Sequence, residues 1–79
     1  MHRQITYIKD LNYYLSLPYR MKLTPDKPEG DFAVSFPALH GCLSCGETIE
    51  EAITNGNDAK MAWLDTSLEQ GMIINEPVV

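Results

Sequence analysis

Apolar and polar residues alternate over 31–36, where Phe32, Val34 and Phe36 interleave with Asp31, Ala33 and Ser35. That period of two predicts a strand with one buried face. Pro37 cannot donate a ladder hydrogen bond, so pairing should stop there. A second alternation sets Tyr19, Met21 and Leu23 on one face and Arg20, Lys22 and Thr24 on the other. It predicts an earlier, half-exposed strand over 18–24. Between the two lies Pro25-Asp26-Lys27-Pro28-Glu29-Gly30, a turn-forming cluster that should close a hairpin. Leu43 and its neighbours, bracketed by the turn-permitting Gly41 and Gly46, leave room for a third short strand. Met72 to Asn75, ahead of Pro77, reads as a last strand.

Two stretches follow helical spacing instead. Leu11, Tyr14 and Leu15 share a face behind Asp10, an acceptable N-cap, and predict a short helix ending before Pro18. The main helix is expected over 48–68, with Ile49, Ala52, Ile53, Gly56, Ala59 and Trp63 on one face. Its start is written in capping residues: Thr48 and Glu51 form a capping box, and Glu47 and Glu50 place negative charge where the helix dipole favours it. Asn55-Gly56-Asn57 is a weak point, since glycine costs roughly 1 kcal/mol relative to alanine. A break into two helices there is the alternative. The apolar face keeps its phase across Gly56, which favours one continuous helix with Gly56 approaching the sheet closely, and Gly71 serves as its stop. The elements add up to an α+β fold in the order αβββαβ, a small, mostly antiparallel sheet of three or four strands covered on one face by one long helix.

Length adds a constraint. Seventy-nine residues allow a single domain, expected over 1–79 with a lead-in at 1–9. A chain this short buries only about 60% of its unfolded surface, a thin core that self-association would help. No apolar run approaches the ~20 residues a bilayer span needs. Residues 1–10 lack the apolar core of a signal peptide, so a cytoplasmic, membrane-free protein is expected. Charge narrows the function classes further. Six Lys/Arg stand against eleven Asp/Glu, a formal charge of −5. Only Lys60 among the cations follows the stretch 31–52. A nucleic-acid binder concentrates positive charge against phosphates, so direct nucleic-acid binding by this chain is not expected. An acidic surface suits a basic partner.

Candidate chemistry is sparse. His40, Cys42 and Cys45 are spaced like zinc ligands or a redox pair. A structural zinc site wants four ligands, however, and the other histidine, His2, stands near the start of the chain. A thioredoxin-type pair should open a helix, whereas this one precedes the cap. A structural or incidental role is the simpler reading for the two cysteines, and no metal or cofactor is expected. Glu47, Glu50 and Glu51 are explained by capping and dipole effects without catalysis. Ser44 lacks the strained elbow of a nucleophile, and no enzyme activity is expected.

The run "DFAVSFPALHGCLSCGETIEEA" resembles the HicB antitoxin family. Its pattern is an aromatic-led strand, Phe/Ile-Pro, then Gly-Cys, then Gly-Asp/Glu-Thr-x-Glu-Glu-Ala. Upstream, "YYLSLPYRMKLTPD" resembles the family's lead-in and first strand, and "AWLDTSLEQGMIINEP" its helix end and final strand. The resemblance implies a partial ribonuclease H-like fold and the role of antitoxin in a type II toxin–antitoxin pair. The implied partner is a HicA-like toxin, a small basic ribonuclease that cleaves mRNA with a histidine. The expected contact residues are Glu47, Glu50, Glu51, Asp31 and Phe36, with edge pairing through the strand that carries Asp31, Ser35 and Phe36. A homodimer or larger homo-oligomer is expected as well. Family members usually carry a C-terminal DNA-binding module. The sequence ends at Val79 directly after the expected last strand, so none is expected here. Two rivals stay open: an orphan oligomeric binding module without a toxin, and a cysteine-dependent metal or redox protein.

Overall fold

The computed structural model describes residues 9–26, 28 and 30–77. In chain order the elements are α1 (Leu11–Leu15), β1 (Lys22–Asp26), β2 (Asp31–Ser35), β3 (Leu43–Gly46) and α2 (Ile49–Glu69). The three strands form one antiparallel sheet in the order β1-β2-β3. The protein is thus a small α+β domain, as the patterning predicts. Of the lead-in expected at 1–9, only Lys9 is among the described residues, and it is tied down: its Nζ pairs with Glu76 Oε2 at 3.0 Å.

Each helix starts where its capping residue stands. Asp10 Oδ1 accepts from the Tyr13 amide at 2.9 Å to open α1. Thr48 Oγ1 accepts from the Glu51 amide at 3.0 Å to open α2, and the Glu51 carboxylate reaches back to accept from the Glu47 amide at 3.1 Å. These bonds answer donors that no helical carbonyl can reach. At the far end Gly71 adopts φ +66°, while the Gly71 and Met72 amides donate back to the Leu68 and Ser67 carbonyls. This is a full Schellman closure, for which a left-handed glycine is the natural residue. α2 runs unbroken through Gly56.

Two expectations about strands need correction. β1 covers Lys22–Asp26 rather than 18–24 and takes in Pro25, which faces Phe32 across the ladder. The alternation itself holds: Tyr19, Met21 and Leu23 pack on the core, whereas Arg20, Lys22 and Thr24 are exposed. Pro25 is tolerated because of its position. The Phe36 amide donates to the Cys42 carbonyl; carried along the two registers, that bond turns the backbone groups of Leu23 and Pro25 away from β2, to the outer edge of the sheet. A proline there removes no ladder bond.

The expected last strand at 72–75 is absent among the described residues, so the order is αβββα. The 72–77 segment carries no regular secondary structure, and side chains answer some of its polar groups. The Tyr19 hydroxyl donates to the Asn75 carbonyl, and Glu76 accepts from Tyr13 at 2.9 Å and from Lys9. Ile74 drops into the core and leaves Met72 and Ile73 outside, which breaks the alternation a ladder would need.

The core lies between the sheet and α2 and consists of Tyr14, Val34, Phe36, Leu39, Cys42, Ala52, Leu64 and Ile74. The inward face of α2 carries Ala52, Gly56, Ala59 and Trp63 as expected, together with Leu64 and Ser67, while Ile49 and Ile53 in its first turns are exposed.

Candidate functional site

The outward face of α2 is acidic along its length. Glu50, Glu51, Asp58, Asp65 and Glu69 are all exposed, and Glu51, Asp58 and Asp65 recur every seven residues, so they line one side of the helix. A helix of 21 residues is about 31 Å long at 1.5 Å per residue. Lys60 is the one cation on α2, and it turns away from the stripe. Its Nζ lies 5.5 Å from the Phe36 ring centroid, an inward cation–π contact. Among the described residues the ion pair found is Lys9–Glu76, and no described cation pairs with a stripe acid.

Glu47, Glu50 and Glu51 stand exposed at the start of α2. Asp31 opens β2 and faces Asp26 of β1 directly across the ladder, a like-charge pairing that is destabilising in a sheet. Gly46, paired with Phe32, leads straight into Glu47. Asp26, Asp31 and Glu47 therefore share one end of the sheet, but Asp31 alternates with Phe32 and Val34 and so stands on the sheet face away from α2, apart from Glu50 and Glu51.

Phe36 belongs elsewhere. It is 3% exposed and stands in the core, under Lys60. Edge pairing through its strand is ruled out as well, because β2 is central and both its margins are taken by β1 and β3. The alternation identified Phe36 as inward-facing; treating it as a contact residue conflicts with that pattern.

His40, Cys42 and Cys45 do not converge. Cys42 is buried with the core, while Cys45, three positions on, is exposed on the opposite face of β3. Burial pushes the Cys42 thiol above its ordinary value, with the Lys60 charge pulling against it. Cys42 is thereby a packed thiol rather than an activated one. His40 contributes its main-chain carbonyl, which accepts from Trp63 Nε1 at 3.2 Å.

That bond floors a feature the sequence reading missed. An open groove of about 480 Å³ separates the 40–43 loop from α2, lined in part by Cys42, Leu43, Ala59, Trp63 and Met72. The signal available was the pair of apolar residues Leu43 and Met72, which patterning assigned to strands.

The model of the HicB-like antitoxin of bacterial toxin–antitoxin systems matches residues 19–79. The chain belongs to the HicB-like antitoxin family. This HicB-like chain is also similar to the UPF0150 protein ssl0259 of Synechocystis sp., with 46% identity over 39 residues, 49% of this chain and 53% of the relative. The chain thus spans about half the length of the curated relative it matches. No helix among the described residues is long and apolar enough to cross a membrane.

Proposed function

We propose that the HicB-like chain neutralises a HicA-like, mRNA-cleaving ribonuclease by covering its RNA-binding and catalytic surface. The observation that carries this reading is the acidic face of α2, whose carboxylates pair with no cation among the described residues. A protein that binds RNA must present positive charge where the phosphates go. A rigid rod of carboxylates about 31 Å long competes for that same surface. It requires no bond-making by the antitoxin. The long-range field of a −5 chain also speeds the encounter.

The test uses the HicA-like ribonuclease from a neighbouring reading frame and its inhibition by the purified chain. Reversing Asp58 and Asp65 to lysine leaves the Thr48–Glu51 cap untouched. The double variant is expected to weaken inhibition at least about tenfold at low salt, within the range known for charge pairs across interfaces. Its dependence on salt should be shallower than that of the native chain. Equal inhibition and equal salt slopes would remove the acidic face from the mechanism. Failure of the native chain to inhibit any neighbouring ribonuclease would remove the toxin.

A further inference from the structure

We propose that one row of side chains on α2, running from Ile49 through Ile53 and Met61 to Asp65 and Glu69, is the seat for an amphipathic helix of a basic partner. That helix would carry apolar side chains at one end and Lys or Arg at the other. The proposal deepens the toxin-covering reading and rests on it for the identity of the partner. It adds what the acidic stripe lacks, a set of apolar anchors.

Residues four apart on a helix stand one above the other and form a ridge. On α2 one such ridge is Ile49, Ile53, Asn57, Met61, Asp65 and Glu69, and every member is exposed. Ile49, Ile53 and Met61 are 48%, 39% and 45% exposed, so three of the six large apolar side chains most open to solvent among the described residues lie along a single line. The fold does not cover them, because α2 packs on β3 and β2 through its other side, where Gly46 and Gly56 allow close approach. The ridge is apolar in its first half and acidic in its last.

The acids say which occupant fits. Glu50 and Asp58 stand three residues before Ile53 and Met61, so a carboxylate flanks each apolar side chain as well. Lys60, the one cation on α2, lies against Phe36 and answers none of them. A second copy of the chain would bring the same ridge and set carboxylates against carboxylates or against bare apolar groups. A basic helix supplies the missing sign, and its apolar turns cover Ile49, Ile53 and Met61. The two halves act at different stages. Exposed charges attract any cationic surface and govern the encounter, whereas desolvated apolar anchors slow departure and select the partner.

Biosensor measurements of the full chain on the neighbouring HicA-like ribonuclease separate the two stages. Ile53→Ser and Met61→Ser, each shown to be folded by far-UV circular dichroism, should speed dissociation at least about tenfold, with the association rate and its salt dependence unchanged. Glu69→Lys should slow association and flatten its salt dependence. Ile73→Ser removes an equally exposed apolar group that is off the ridge, and should change neither rate. The proposal is overturned if Ile53→Ser and Met61→Ser leave dissociation as it was, or if Ile73→Ser matches them. Should the native chain bind no such ribonuclease, the toxin reading fails and a second probe decides the ridge. That probe is a synthetic leucine-faced helix with its lysines gathered at one end. Binding at least about tenfold tighter to the native chain than to the Ile53→Ser, Met61→Ser double variant upholds the ridge for another basic partner. Equal binding overturns it.

Discussion

Gly56 has no room for a side chain. A β-carbon there would come within 2.6 Å of Val34 Cγ1 and 3.2 Å of Met21 Cε. Val34 is fully buried and stiff at its branched carbon, so it cannot give way. Alanine would gain roughly 1 kcal/mol in helix propensity and lose about 1–3 kcal/mol to overpacking. Gly56→Ala is therefore expected to destabilise the domain by up to about 2 kcal/mol, read as a lower urea midpoint with unchanged slope. Helix propensity alone predicts the opposite sign. Gly46 works the same way against backbone: a β-carbon would meet the Ala52 amide nitrogen and Cα at the first turn of α2. Both glycines stand out in the sequence, yet their reasons differ in how far they can be read. Gly56 breaks an otherwise regular helical face, so close approach was legible. Gly46 looked like a turn glycine, and only the crossing of α2 over β3 shows that it makes space. At this scale Phe36 was also legible as apolar and inward, while its contact with Lys60 was not, because a cation on a helix gives no sign of which way it leans.

The 72–77 segment is held by side chains rather than by a ladder, and this makes its attachment titratable. Burial first, then the Glu76 charge, pushes the Tyr19 hydroxyl up to about 12 from its ordinary 10.0. Its proton is thus held more tightly in the folded chain than in the unfolded one. The linked stability is fully present below pH 10 and is lost as pH rises toward 12. Tyr19→Phe deletes the bond to the Asn75 carbonyl and should cost about 1 kcal/mol at neutral pH. Unfolding free energies measured between pH 10 and 12 should then fall less steeply than in the native chain. Glu76 has the opposite sign. Its hydrogen bonds from Lys9 and Tyr13 hold the carboxylate below its usual range, so its contribution is present above that range and fades as pH falls through the lowered value. Elements with their own local signals were readable: both N-caps, the α2 stop and the β2 alternation. The final segment was misread because Met72, Ile73 and Ile74 look like strand residues. What replaces the ladder is a set of hydroxyl and carboxylate contacts with residues 56 to 67 positions away in sequence.

The charge of the whole molecule is poorly balanced by its own cations. Like charges along one helix face disfavour the helix by a few tenths of a kcal/mol per close pair, and Lys60 does not relieve them. Added sodium chloride screens this repulsion within a Debye length of about 8 Å at physiological strength. The melting temperature is therefore expected to rise between low and moderate salt, and a calorimetric series checks it. A fall would mean that the Lys9–Glu76 pair outweighs the stripe. Net charge, the lack of a basic tract and the family motifs were all legible in the chain. The groove was not, because its walls come from a loop, a helix and the segment after it, three places that no periodicity connects. The placement of Pro25 also reaches beyond the single chain. With that ring on the outer margin of β1, an incoming strand meets carbonyls but few amide donors, so hydrogen-bonded growth is closed off on that side. Subunits that join only through their other flank run out of free ends after one joining event. That placement guards the sheet against repeated edge-to-edge addition, the route to a filament.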